Sequence, residues 1–357
     1  MQAERLISAH RGAAENPPNR FEQIQIEPDA DWNPEEDGGR PQGPRTQFFK
    51  DHSKTVIARN DSPDVGFTAS LNPYRGCEHG CIYCYARPTH EFLGFSAGLD
   101  FESKIMVKED APELLRAELM SPKWQPQVIF MSGVTDCYQP VEAKLKLTRR
   151  CLEVLAEFRN PVFIITKNRL VTRDIDLLSE LARHGAAAVW LSITTLDAEL
   201  RKIMEPRTAP PTARLGAIRE LARAGIPVGV NVAPVIPGLT DHEMPAILQA
   251  AADAGAKAAG HTVVRLPYGV APLFEKWLET HFPDRKEKVL NRLRSLRGGK
   301  LNDSQWGTRM SGEGIFADQI GQMFEVARRK AGIQNDSREL STAAFRRPLG
   351  AQLPLFS

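Results

Sequence analysis

Residues 76–86 read GCEHGCIYCYA, which places Cys77, Cys81 and Cys84 in one loop with the spacing Cys-x3-Cys-x2-Cys. Only five cysteines occur in 357 residues, and three of them fall here. A disulfide framework spreads its cysteines in pairs, so this clustering points to metal in a reducing compartment. Iron–sulfur clusters are held by thiolates, and a four-iron cluster normally takes four of them. A loop that offers three leaves one iron open, where a ligand carrying an amine and a carboxylate can chelate. Three thiolates with His79 would also suit structural zinc. Zinc sites usually draw on two separate Cys-x2-Cys-like pairs, and no second pair occurs.

Outward from this loop, short apolar runs alternate with helical periods. VGFTASL (65–71) reads as the strand that precedes it, and FESKIMV (101–107) as a short extra strand. Later strands are expected at 127–132, 161–166, 186–194, 226–235 and 261–267. Helices are expected at 111–120, 141–158, 174–185, 213–225 and 244–255. Six strand-then-helix repeats demand parallel strands with right-handed crossovers. Either an open doubly wound sheet or a barrel, complete or partial, satisfies that demand, and periodicity does not choose. In both, the working residues belong at the C-terminal strand ends. Polar, Gly and Pro residues bunch there: 76–84, 132–136, 166–168, 192–195, 231–237 and 265–267.

Residues 1–60 are rich in Pro, Gly and charge, and read as an extended, poorly ordered arm with a few apolar anchors (Phe21, Trp32, Phe48, Val56). The barrel unit is expected over 61–270 and a helical extension over 271–333, with helices at 273–282, 285–299 and 315–332. Residues 334–357 read as a flexible tail. Hydrophobic residues make up 42% and charged residues 25%, the composition of an ordinary globular protein. The formal net charge of +2 neither demands nor excludes nucleic acid. No apolar run approaches the roughly 18 residues of a membrane span and no signal-peptide core is visible, so the cytoplasm is the expected compartment.

The cysteine motif with its aromatic residue before the third cysteine resembles the radical S-adenosylmethionine (SAM) superfamily. SLNPYRGCEHGCIYCYARPTH (70–90) and VTDCYQPVE (134–142) resemble its spore photoproduct lyase-like, DNA-repair-photolyase-like branch. The resemblance covers roughly residues 65–270. It implies an α/β fold, a partial (β/α)6 TIM-type barrel, and a [4Fe-4S] cluster on Cys77, Cys81 and Cys84. The reduced cluster would split SAM into methionine and a 5′-deoxyadenosyl radical, with electrons from a flavodoxin- or ferredoxin-like donor. Residue by residue, Tyr83 is implied to lie near the adenine. Ser132, Gly133 and Asp136 occupy the place of the superfamily's glycine-rich turn toward the cofactor's amine. Ser192, Glu205, Arg207 and Asn231 fall at its ribose, carboxylate and adenine positions.

Spore photoproduct lyases return a hydrogen atom through a cysteine helped by tyrosines. Tyr83 and Tyr85 match the tyrosines, but Gly133 stands where that cysteine belongs. Cys137, four residues on, is the nearest replacement, so Cys137 and Tyr85 are the candidate catalytic residues. Cys151 reads as a helix core residue. QLPLF, Gln352–Phe356, resembles the peptide by which bacterial repair proteins dock on the polymerase sliding clamp. Basic residues recur between Arg292 and Arg347, as a phosphate-contacting face requires. The leading expectation is a radical enzyme acting on nucleic acid. The rivals are the same chemistry on a small molecule, peptide or RNA, and an iron–sulfur or zinc protein without turnover.

Overall fold

A computed structural model describes residues 11–21, 44–334 and 339–348. In chain order the strands are β1 (Gln47–Lys50), β2 (Ile57–Arg59), β3 (Ala69–Leu71), β4 (Tyr74–Arg75), β5 (Lys104–Val107), β6 (Ile129–Met131), β7 (Val162–Thr166), β8 (Ala187–Ser192), β9 (Val228–Val235) and β10 (Ala258–Val263). The helices are α1 (Leu99–Ser103), α2 (Ala111–Met120), α3 (Glu142–Leu145), α4 (Leu147–Phe158), α5 (Ile175–Arg183), α6 (Ala198–Met204), α7 (Pro211–Arg223), α8 (Met244–Ala254), α9 (Val270–His281), α10 (Pro283–Ser295) and α11 (Ile315–Lys330).

Strand order settles what periodicity left open. The large sheet runs β10-β9-β8-β7-β6-β3-β2, and its six strands from β3 to β10 are parallel and sequential neighbours. A doubly wound sheet reverses its order part-way; this one never does, so its helices all fall on one face. The sheet curls into a partial barrel. Among the described residues β10 pairs with β9 alone, and β2 covers the β3 edge antiparallel, so one side stays open.

The strands alternate as such a wall requires. Val162, Ile164, Val189 and Leu191 face the helices and are fully buried in the main core. Phe163 and Trp190 point the other way. On that concave face Phe67, Phe130, Phe163 and Trp190 form a row of ring contacts 4.1, 5.6 and 5.7 Å apart. Trp190 fits only because β9 and β10 carry glycine beside it: a Cβ on Gly229 would lie 2.6 Å from the indole, and one on Gly260 2.9 Å.

The helix expected over 141–158 is broken at Lys146, whose φ is 54°. The cause is Glu142: its carboxylate accepts the Thr148 N–H at 3.0 Å, capping α4, and the Tyr74 hydroxyl at 2.5 Å. The strand expected over 101–107 begins only at Lys104, because α1 takes the residues before it. α6 was not foreseen.

Two segments outside the barrel differ from expectation. Residues 11–20 of the N-terminal arm lie on the body, held by polar contacts and not by the apolar anchors: Phe21 and Phe48 are about half exposed, Val56 alone is buried, and Trp32 lies outside the described residues. Residues 339–348, expected within a flexible tail, are fastened across helix C-termini. Arg347 donates to the carbonyls of Leu119, Ser121 and Trp124, and Arg346 to those of Glu157 and Phe158. These two arginines therefore do not form a phosphate-contacting face. Nor does Arg297, buried against the carbonyls of Val264 and Arg309, or Arg328, tied to Glu325 and the Ile333 carbonyl. Gln352–Phe356 lie outside the described residues. No helix among the described residues is long and apolar enough to cross a membrane.

Candidate active site

The cysteine loop follows β4 and lies at the C-terminal end of the barrel strands. It is wedged between α1, α6 and the helical extension. Gly76 and Gly80 both have positive φ, 79° and 68°. A Cβ on Gly76 would sit 2.9 Å from the Phe101 carbonyl oxygen, so both conformation and space require glycine there. Backbone bonds fix the loop: Cys77 N–H to Phe101 O at 2.9 Å, Ile82 N–H to Met204 O at 3.1 Å, and Arg207 N–H to His79 O at 3.2 Å. Ile82 and Tyr83 enter a second core with Leu200, Met204, Phe274 and Trp277, so α6 and α9 press on the loop from outside.

Beneath the loop lies a fully buried ion pair, Arg87 with Glu102. Arg87 donates to the Cys81 carbonyl through Nε and Nη2, at 3.0 and 2.9 Å. Through Nη1 it donates to the carbonyl of Gly98 at 2.9 Å. Glu102 accepts the N–H groups of Gly12 and Ala13 at 2.9 and 2.8 Å, and Arg11 donates to the Glu102 carbonyl at 2.7 Å. The N-terminal segment thus joins the loop through one carboxylate.

The three loop cysteines are free thiols; Cys77 and Cys81 are buried and Cys84 is more open. Burial first, then the neighbouring Cys77, pushes the Cys84 thiol up to about 11. Burial raises Cys81 further, with Glu205 and the other two thiols adding to it. Thiols this close and this costly to ionise suit a positively charged metal core that takes them as thiolates. Among the described residues no three Cys, His, Asp or Glu side chains converge to hold a single metal ion. His79 lies against Cys77 as well as against other partners: its Nδ1 meets Asp136 Oδ2 at 3.3 Å and its Nε2 lies 3.3 Å from Asn168 Nδ2. Three thiols in one loop are the number that a four-iron cluster with one open corner takes.

The residues expected to contact a cofactor fall into two groups. Gly133 lies beside the exposed Tyr85, while Tyr83 is buried with its hydroxyl on Glu205 and Asn231 lies on β9. Asp136, Glu205 and Arg207 are held by protein partners and fasten the mouth together. Asp136 accepts the Thr166 hydroxyl at 2.7 Å, the Lys167 N–H at 2.8 Å and His79, tying the cysteine loop to the end of β7. Burial opposes its ionisation, but His79 and these donors hold it below the usual carboxylate range. Glu205, with no exposed surface, pairs with Arg214 and accepts the Tyr83 hydroxyl and, at 2.7 Å, the Thr194 hydroxyl. Arg214 and Lys167 overcome its burial and keep it ionised. Arg207 pairs with Glu78 at 2.9 Å, on the loop itself. Ser132 has φ of 84°, and its hydroxyl accepts the Cys137 N–H at 3.0 Å. Ser192 is buried, with its carbonyl on Arg214.

Cys137 corrects an expectation. It has no exposed surface and packs in the main core, its thiol pushed up by burial and set against the Ser132 side chain. Cys151 is likewise a core residue. Tyr85 is at the mouth and about half exposed; its hydroxyl donates to the Gly133 carbonyl at 2.7 Å. A Cβ on Gly133 would meet nothing closer than 3.6 Å. Sequence reasoning missed Arg87, Glu102, Lys167, Arg214 and residues 11–13. Arg214 falls in the helix expected over 213–225, Glu102 in the strand expected over 101–107 and Lys167 in the polar bunch at 166–168, but nothing in those patterns marks them as clamps.

Comparison with known proteins places this geometry. The model of the Radical SAM superfamily matches residues 71–251. An uncharacterized protein of Mycobacterium tuberculosis is 36% identical over 232 residues, 64% of this chain and 67% of that one. One of Methanocaldococcus jannaschii is 34% identical over 199 residues, 56% of this chain and 71% of that one. A radical SAM Nalpha-GlyT isomerase of Pseudomonas phage M6 is 25% identical over 202 residues, 56% of this chain and 40% of that one. Among solved structures, spore photoproduct lyase complexed with dinucleoside spore photoproduct shares the fold. Its TM-score is 0.56 at 17% identity, over 81% of this chain and 79% of that one. With half of its length under the family model, cysteine loop included, the chain belongs to the radical SAM superfamily, enzymes that work with a [4Fe-4S] cluster and S-adenosylmethionine.

Proposed function

We propose that Cys77, Cys81 and Cys84 hold the cluster and that the enzyme repairs or modifies a nucleic-acid base. The observation that carries the first part is the loop itself: three free thiols, clamped from below by Arg87 and Glu102, beside the open barrel mouth. Bound there, cluster and cofactor supply the reductive cleavage of the sulfonium, with electrons from an external reductant. The chain's own part is positional. Tyr83, fixed by Glu205 and Thr194, walls the cofactor site, and Asn231 on β9 faces it. Ser132, Gly133 and Ser192 line the strand ends, while Asp136, Glu205 and Arg207 hold these pieces in register. Tyr85 is the residue placed to relay a hydrogen atom.

Support for a nucleic-acid substrate is the dinucleoside bound by the lyase of like fold. Gly133 speaks against the lyase's own cysteine-dependent hydrogen return. The test is anaerobic reconstitution followed by reduction with and without DNA. About four irons per chain and 5′-deoxyadenosine release that rises with DNA are expected. One tightly held zinc, or release indifferent to every nucleic acid, overturns the reading. The reading extends to sliding-clamp docking through Gln352–Phe356, and loss of clamp binding on deleting 352–356 checks it.

A further inference from the structure

Resting on the nucleic-acid reading, we propose that Arg265 is the anchor for a substrate phosphodiester at the open side of the barrel. Arg265 follows β10, the edge strand that among the described residues pairs only with β9, and so stands where the barrel wall stops. Its guanidinium carbon lies 4.8 Å from the centroid of the Tyr85 ring, next to the third loop cysteine. Tyr85 reaches across to Gly133 after β6, so Arg265 is held at the mouth by a residue of the cysteine loop.

What distinguishes this arginine is its lack of a counter-ion. Among the described residues no carboxylate lies within ion-pair distance of it and no acceptor takes a hydrogen bond from it. The nearby arginines each have partners, although the Nε of Arg297 and of Arg309 makes no hydrogen bond. Arg309 pairs with Asp64 at 2.5 Å, and Asp64 also accepts the Gly307 N–H at 2.6 Å, which occupies that carboxylate. Arg297 is bound to backbone carbonyls. The mouth therefore carries more positive charge than its own groups neutralise, concentrated on one half-buried fork. A guanidinium offers paired donors matched to phosphate oxygens. Tyr85, the ring beside Arg265, is 47% exposed, and Tyr268, three residues on, is 62% exposed with Arg20 stacked on its ring at 3.6 Å. Exposed rings interleaved with a free arginine suit an unpaired nucleotide, stacked on an aromatic face with its phosphate on the cation. No further strand follows β10 among the described residues, and residues 301–310 of the extension lie along it instead, with Val263 N–H on the Met310 carbonyl at 2.8 Å, so Arg265 stands between the barrel and the extension.

The test is binding of a dye-labelled single-stranded oligonucleotide to the anaerobic, cluster-loaded protein, by fluorescence anisotropy over a salt series. Arg265→Gln is expected to weaken binding about tenfold and to reduce the salt slope by about 0.7, the value for one lost phosphate contact on a single strand. Arg265→Lys should restore the slope with only part of the affinity. Iron content and thermal unfolding, measured on each variant, confirm an intact fold. Equal affinity and slope in wild type and Arg265→Gln would overturn the subsite and leave the nucleic-acid reading standing. A wild type that binds no oligonucleotide at low salt would overturn both. Loss of S-adenosylmethionine binding in Arg265→Gln, with oligonucleotide binding intact, would assign the arginine to the cofactor's carboxylate and overturn the proposal.

Discussion

Gly12 lies directly against Gly80. A Cβ built on Gly12 would fall 1.6 Å from the Gly80 carbonyl oxygen, and its N–H is already bound to Glu102. The contact is backbone to backbone, so no rotamer can relieve it. Gly12→Ala must therefore push the N-terminal segment off the cysteine loop or bend the loop between Cys77 and Cys81. Overpacking of this kind costs about 1–3 kcal/mol. Anaerobic reconstitution should give Gly12→Ala less than half the wild-type iron, with a lowered unfolding temperature. Normal iron loading would show that the segment is an ornament on the loop.

The Arg87–Glu102 pair has no contact with water. Removing one partner of such a pair leaves a buried charge and costs about 3–5 kcal/mol, whereas apolar replacement of both costs far less. Glu102→Leu and Arg87→Met should each unfold at markedly lower temperature than the double variant. The double variant should still load iron poorly, because the Cys81 carbonyl and the Gly12 and Ala13 N–H groups lose their partners. Melting curves and iron assays on the four proteins decide this. Additive losses would mean that the two side chains act independently.

What could be read from the sequence divides along physical lines. The barrel strands and α2 follow from apolar period, since each buries one face against its neighbours. The cysteine loop follows from thiol spacing. The clamps do not, because each is a pair of polar residues with no periodic relation: Arg87 with Glu102, 15 residues apart, and Arg214 with Glu205, 9 apart. For the same reason Glu205, Arg207 and Asp136 were marked as contacts of the cofactor, although their charges are met by Arg214, Glu78 and His79. The attachment of residues 11–20 was hidden because it is made by single polar side chains and by the N–H groups of Gly12 and Ala13, none of them in an apolar period.

Cys137 and Cys84 separate core from site. Cys137→Ala removes one buried sulfur and should lower stability by about 1 kcal/mol while keeping the brown colour, the iron and 5′-deoxyadenosine release. Cys84→Ala should lose all three. Visible absorption and product analysis of the two variants side by side test this. A Cys137→Ala protein with full iron and no turnover would return Cys137 to the reaction.

His90 gives the fold a measurable acid sensitivity. It has no exposed surface, its Nε2 donates to the Lys104 carbonyl at 2.8 Å, and its Nδ1 has no partner among the described residues. Burial pushes its pKa down to about 4 from an ordinary 6.5. Below 6.5 the unfolded chain takes up a proton that the folded ring refuses until about pH 4. This contribution to stability is therefore complete above pH 6.5 and declines as pH falls through that window, by about 1.4 kcal/mol per unit. Between pH 6.5 and 5 the loss amounts to about 2 kcal/mol. Thermal unfolding of wild type should fall over that interval more steeply than that of His90→Leu, which lacks the titrating ring though it starts lower for want of the Lys104 bond. Parallel pH profiles for the two proteins would show that the ring is charged in the folded state and that the pocket between Phe95 and Phe101 admits water.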